Sequence, residues 1–434
     1  MPSSSSRVHR GADILPAYSC RQDACTTGRV TRRAKTAQGF VALVTFVILL
    51  SGEPSYAADG KTGGLIRWEK VMIADNWNEG IAVCDVNNDG RLDLTGGPWW
   101  FEAPTWKHHP LRTIGIGNIE FFTNNGEHSI DLNGDGWVDL ISASWFSDKT
   151  YWYENPGRAG LAARDKWKER LVIDGFGSCE GTLLEDLNGD GVPELIPNSW
   201  DSGRAGIFVR IIPGKDGGEP KFQKIELGGS GYGHGCGVGD INGDGRKDIM
   251  VNKGWYEAPA GDIFTEKWTF HKDWDFEHTA VPNLVVDVNG DGRNDLIVGH
   301  AHDYGLTWYE QGPARDGKTT WTAHEIDRSF SQVHCLVWAD LDGDGRNELI
   351  TGKRYRAHGD GDPGARDPVC LFRFVWDAAA GRFDKDIISF NDGVGTGMQI
   401  RVVDIDGDKR PDIAVAGKSG TYILYNRGPS KAGK

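Results

Sequence analysis

Cysteine is scarce in this 434-residue chain. Of its seven, only Cys84, Cys179, Cys236, Cys335 and Cys370 lie beyond residue 58. An odd number without framework-like spacing argues against a disulfide scaffold. Four of the five stand in or beside apolar stretches, where a small buried side chain is expected. Net positive charge is missing too. Lys and Arg number 48 against 62 Asp and Glu, a formal −14, which argues against a nucleic-acid partner. The apolar run at residues 40–50 is too short to span a bilayer. Neither G-x-S-x-G nor H-E-x-x-H occurs, so no familiar catalytic signature names a reaction.

Glycine and tryptophan are plentiful, at 60 and 17 residues. They favour short strands, tight turns and large aromatic packing units over helices. One nonapeptide, D-x-[ND]-x-D-G-x-x-[DE], occurs seven times, with Lys409 replacing the glycine in the last copy. Position one is Asp85, Asp131, Asp186, Asp240, Asp287, Asp340 and Asp404. Position three is Asn87, Asn133, Asn188, Asn242, Asn289, Asp342 and Asp406. Position five is Asp89, Asp135, Asp190, Asp244, Asp291, Asp344 and Asp408. Position nine is Asp93, Asp139, Glu194, Asp248, Asp295, Glu348 and Asp412. A tight loop of hard oxygen donors around a glycine turn suits Ca²⁺, by the logic of the longer EF-hand loop. The seven copies hold 23 acidic residues, so most of the net charge is metal-site charge.

Successive copies start 46, 55, 54, 47, 53 and 64 residues apart, a period typical of propellers and solenoids. Each unit reads as four short strands. One leads into the acidic loop and one leaves it. A third is aromatic, as at 99–102, 151–154, 255–257 and 308–310, and a fourth opens on Trp or Phe. The last unit lacks its fourth strand, while residues 66–73 supply a spare one before the first loop. Pairing the two closes the ring and removes open edges. The expected fold is an all-β, seven-bladed propeller over residues 63–428, with a tail at 429–434. Residues 1–58 read as a leader and signal peptide, with a small-x-small site at Ser55–Ala57, which implies a secreted or periplasmic protein without a transmembrane span after cleavage.

The acidic loops, with phrases such as those at 233–240 and 352–355, resemble FG-GAP/VCBS-repeat proteins. Within that group the chain is similar to secreted propellers related to the propeller part of aldos-2-ulose dehydratase, on the histidine-bearing phrases of blades four to six.

Stepping back about six residues along the first strand, or forward about five along the second, reaches the face opposite the loops, roughly 15–20 Å away. Those steps and the short connections beyond them gather Glu180, His234, His278, His302, Tyr304, His334, Lys353 and Arg354 from blades three to six. Such a rim is a candidate pocket, with Trp99, Trp145, Trp200 and Trp255 as possible platforms for sugar rings. The four histidines, with Glu180, offer a site for a second divalent metal. Alternatively, one His or Tyr abstracts a proton α to a carbonyl while Lys353 or Arg354 steadies the enolate, the chemistry that resemblance to a sugar dehydratase implies. Three function classes remain open: a lyase or dehydratase acting on a carbohydrate or sugar-derived ligand, a non-catalytic module binding a glycan or protein, and a structural envelope protein.

If the loops hold Ca²⁺, each emptied loop leaves three or four carboxylates crowded together. Chelation is therefore expected to lower the melting temperature by well over 5 °C. An unchanged melting curve in excess chelator would show that the loops are not calcium sites.

Overall fold

Each acidic nonapeptide folds as a hairpin turn closed by its own side chains. The computed structural model describes residues 65–117, 121–175, 177–199, 206–229, 233–315 and 318–430. In the fourth turn, Asp240 Oδ1 accepts from the Gly243 and Asp244 N–H groups at 2.8 and 3.1 Å, and Oδ2 accepts from Gly245 N–H at 2.8 Å. Winding the chain this tightly puts positions four and six in the left-handed region in all seven turns. Glycine meets that demand without steric cost. The exceptions are Asn88 (φ 55°) at position four of the first turn and Lys409 (φ 71°) at position six of the last. Lys409 N–H still donates to Asp404 Oδ2 at 2.8 Å, so the turn keeps its shape and the lysine bears the strain.

The ninth-position carboxylate is buried and has a separate role. Asp248 Oδ2 accepts from Ile241 N–H inside the turn, and Oδ1 accepts from Ala258 N–H just past the third strand, both at 2.9 Å. Asp93, Asp139, Asp295 and Asp412 repeat this double latch. Glu194 and Glu348 hold the equivalent N–H groups of Leu187 and Leu341.

The strands form seven four-stranded antiparallel sheets among the described residues, the blades of a propeller. First strands such as Cys236–Gly239, Leu284–Val286 and Leu336–Ala339 touch their neighbours around the centre. Ile66–Ala74 pairs antiparallel with Gly420–Pro429, with Lys70 opposite Leu424, and completes the seventh blade as expected. On the inner side of that junction, Gln399 Oε1 accepts from Ile81 N–H at 3.0 Å and Arg401 Nε donates to Ile81 O at 2.9 Å.

The aromatic third strands are architectural. Trp100, Trp255 and Trp308 lie directly across from His109, His271 and His324 of the fourth strands. The rings stack at 4.4, 4.3 and 4.4 Å. Two residues along, Glu102, Glu257 and Glu310 bond the same imidazoles at 2.7, 2.7 and 2.9 Å. Blade two uses Arg170 over Trp152, bonded to Glu154. Each stack joins the two outer strands of a blade.

Two elements depart from the four-strand reading: a short helix, Gly157–Ala163, and a small hairpin, Ile116–Gly117 with Phe121–Phe122. All five cysteines are buried and unpaired, and burial pushes the Cys84 thiol up to about 12. Among the described residues no helix is long and apolar enough to cross a membrane. The signal segment and Trp200 lie outside the described residues.

Relieving the one strained sixth position should stabilise the fold. Lys409→Gly is expected to raise unfolding stability by about 1 kcal/mol, read from the denaturant midpoint. Asn88→Gly should change it far less, because asparagine tolerates the left-handed region.

Candidate functional site

The rim residues stand at the strand ends opposite the acidic hairpins. His234 and His334 precede the first strands of blades four and six, and Glu180 lies at the start of Cys179–Glu185 in blade three. His302 follows Asp295–Gly299, and Arg354 follows Glu348–Gly352. Ring closure brings them together. His302 lies within 5.0, 4.9 and 5.1 Å of His234, His278 and His334, centroid to centroid. One ligand atom each from Glu180, His234, His302 and His334 falls within 4.8 Å of all the others. His278 is exposed beside this set and outside it.

Backbone carbonyls orient two of the rings. His234 Nδ1 is 2.7 Å from Thr279 O, and His334 Nδ1 is 3.2 Å from Gln332 O. A proton on His334 Nδ1 leaves its Nε2 as the lone-pair nitrogen, the usual preparation of a metal-binding imidazole, whereas His234 has an acceptor at each nitrogen. His234 Nε2 lies 3.2 Å from Glu180 Oε2. Burial holds His334 well below the usual imidazole range, with the Arg354 charge adding to it, and pushes His302 down to about 4 against the opposing pull of Asp362. Neutral rings near pH 7 suit metal ligation or proton acceptance.

Arg354 ties this floor together. Its guanidinium is bidentate to Glu79, with Nε and Nη2 each 2.7 Å from a carboxylate oxygen. Nη1 bonds Glu180 Oε1 and lies 2.9 Å from His334 Nε2. Burial alone would raise the Glu180 carboxyl. The Arg354 guanidinium and His234 override it and hold the group well below the usual carboxylate range. Blades one, three and six thus meet through one buried cation.

Above the floor opens a cleft of about 300 Å³, lined by Phe121, Trp145, Phe146, Glu180, Arg354, His358 and Lys418. Other sequence candidates are not brought into it. Lys353 is fully buried, with Nζ bonded to Gln332 Oε1 (2.6 Å) and Ser331 Oγ (3.2 Å), and burial lowers it to about 8. The Tyr304 hydroxyl donates to Asp367, which keeps the phenol protonated and unsuited to act as a base. Trp255 is packed within its blade and Trp99 meets Phe122 edge-on; of the described tryptophans named above, Trp145 alone lines the cleft. Sequence reasoning passed over Asp362, which lies 3.0 Å from His302 Nδ1 in an irregular loop with no repeat register.

On the opposite face, Asp340, Asp342, Asp344 and Glu348 bring ligand oxygens within 4.8 Å of one another, as do Asp404, Asp406 and Asp412. Burial, with neighbouring position-five and position-one carboxylates adding to it, pushes Asp93, Asp139 and Asp248 up to about 7. Crowding of this kind is what a hard divalent ion relieves, so the donor sets fit calcium.

Removing the buried guanidinium leaves two carboxylates without their partner. Arg354→Met is expected to cost about 3–5 kcal/mol, measured by denaturant unfolding, and Glu79→Gln less. A loss below 1 kcal/mol would show that the network does not hold the blades.

The FG-GAP-like repeat family matches residues 131–197, 186–251 and 287–351. No curated protein matches the chain. Three solved structures are similar to it at low identity. A chain of BBS1N in complex with ARL6DN is 12% identical, with 86% of this chain and 99% of that one covered and a TM-score of 0.47. Virginiamycin B lyase from Staphylococcus aureus is 13% identical, with 83% and 99% covered and a TM-score of 0.43. The V. cholerae biofilm matrix protein Bap1 is 11% identical, with 84% and 89% covered and a TM-score of 0.41. With seven blades closed through their ends and the acidic hairpin recurring in each, the chain is a seven-bladed β-propeller that carries FG-GAP-like repeats over residues 131–251 and 287–351.

Proposed function

We propose that this is a secreted or periplasmic propeller, braced by calcium in its acidic hairpins, that binds a carbohydrate or sugar-derived ligand at its channel mouth and acts on it as a lyase or dehydratase. The observation that carries the reading is the convergence of Glu180, His234, His302 and His334 beside the cleft, which Glu180 itself lines. Three imidazoles and one carboxylate suit zinc or another first-row divalent ion. When bound, such an ion polarises a ligand oxygen.

The remaining steps belong to side chains. Trp145, Phe121 and Phe146 offer apolar faces to a sugar ring, and Lys418 Nζ, held on Arg356 O at 2.9 Å, offers a charge at the edge. His278 stands outside the donor set, exposed, with partial desolvation lowering its pKa. We assign it the role of taking a proton α to a carbonyl. Arg354, anchored by Glu79, holds Glu180 in position. Tyr304 and Lys353 take no role in the step.

A second reading has support of its own. Arg354 Nη1 already bonds Glu180 and meets His334, so these two groups have a partner without an ion. A non-catalytic glycan- or protein-binding module would use the same cleft in that form.

The double variant His234→Gln/His334→Gln separates these readings. In calcium-saturated protein it should lose the zinc held by this donor set and lose turnover of oligosaccharides that the wild type cleaves or dehydrates, while its melting temperature stays within a few degrees. A wild type that binds a glycan without zinc and without turnover favours the module. A double variant that retains zinc and turnover overturns the proposed site.

A further inference from the structure

We propose a second divalent transition-metal site, one imidazole further out, held by His302 Nδ1, His358 Nδ1 and Asp362. The three groups form a small triangle. The two Nδ1 atoms are 3.0 Å apart, and Asp362 places Oδ2 3.0 Å from His302 Nδ1 and Oδ1 3.1 Å from His358 Nδ1. Ligand atoms at about 2.1 Å from a first-row ion are separated by about 2.9–3.4 Å between right-angle and tetrahedral arrangements. The two imidazole nitrogens stand at that spacing, and each has one of the two Asp362 oxygens at the same spacing, so the carboxylate can turn either oxygen to an ion between them. Two histidines and one carboxylate on one face of an ion leave its other positions open.

The open side faces the cleft, since His358 and Gly359 line it. The inner set sits against the Arg354 guanidinium, with Nη1 2.9 Å from His334 Nε2. The outer ion would stand at the cleft wall, where a second ligand oxygen can meet it.

The loop carrying His358 and Asp362 is built at a cost. Arg356 (φ 49°), His358 (φ 52°) and Asp360 (φ 74°) are all left-handed within five residues. Asp360 is clamped by Arg356 at 2.8 and 3.0 Å and by Arg366 at 2.9 Å, which holds the strained path. Strain retained in a loop beside a cleft marks a segment whose placement matters.

The outer site stands on its own triangle, whereas the bridge through His302 rests on the inner ion proposed above. With both ions bound, His302 ligates one through each nitrogen and releases its remaining ring proton to solvent as an imidazolate.

Full-length protein saturated with calcium is loaded with zinc, desalted and counted by mass spectrometry. Two zinc ions per wild-type chain are expected, and one in both His358→Ala and Asp362→Asn, with unchanged circular dichroism. One ion in the wild type and one in both variants overturns the outer site and leaves the inner reading. One in the wild type and none in the variants keeps the outer site and removes the inner. No ion in the wild type overturns both. With Cu²⁺ replacing zinc, the bridge predicts that filling the second position quenches the EPR signal of the first. Two uncoupled copper signals overturn the bridge.

Discussion

A carboxylate buried at the ninth position of each hairpin is the constraint on which the blades depend. It holds one N–H inside its own turn and, in five blades, a second in or just past the third strand. That fastens the hairpin to the middle of the sheet. The first two strands then run from a fixed base, and their far ends reach the other face at a fixed height. Closing the ring with Ile66–Ala74 removes the remaining freedom of the last blade. Residues separated by well over a hundred positions can then meet within hydrogen-bond distance, as Arg354 does with Glu79 and Glu180.

The blades and the hub are held by different physics. Between blades lie apolar clusters, such as the one around Phe208, Ile249, Tyr256 and Trp268. The hub is polar. Gln399 and Arg401 of blade seven bind the backbone of Ile81 and Glu127, Arg112 bonds Glu127, and Arg354 bonds Glu79 and Glu180. Buried ion pairs are weak sources of stability, because desolvation offsets much of their attraction. They are demanding about geometry, however. Apolar faces tolerate sliding of one blade on the next. A bidentate guanidinium reaching across the channel does not.

The repeat made the skeleton of this arrangement legible. Counting from each hairpin placed Glu180, His234 and His334 at equivalent ends of three first strands, and the missing outer strand showed where the ring closes. Counting could not choose between Lys353 and Arg354. Successive side chains leave an extended segment on opposite sides, and only the three-dimensional course of the chain turns Arg354 to the floor and Lys353 to Gln332. The aromatic third strands looked like sugar platforms because their partners were not visible. Trp255 on His271 and Trp308 on His324 are cross-strand stacks that need the register to be seen. Asp362 and Phe121 sit in connections without a repeat, where spacing carries no positional information.

Charge on the floor links the readings of the cleft. Glu79, Glu180 and Asp362 are carboxylates in contact with the network, and Arg354 is the guanidinium that answers them. Three carboxylates against one guanidinium leave that group dependent on the imidazoles for further positive charge. Charge so poorly exposed to water is expensive unless paired. A protonated His302 between Asp362 and the other rings would offset part of it, but burial disfavours that form and pushes the ring down to about 4. The divalent ions proposed above would supply positive charge without forcing a proton onto a buried imidazole. They would also give the oxygen atoms of the proposed sugar ligand a partner. The excess of carboxylates over guanidinium in the floor is thus the feature that ties the proposed metal to the proposed carbohydrate.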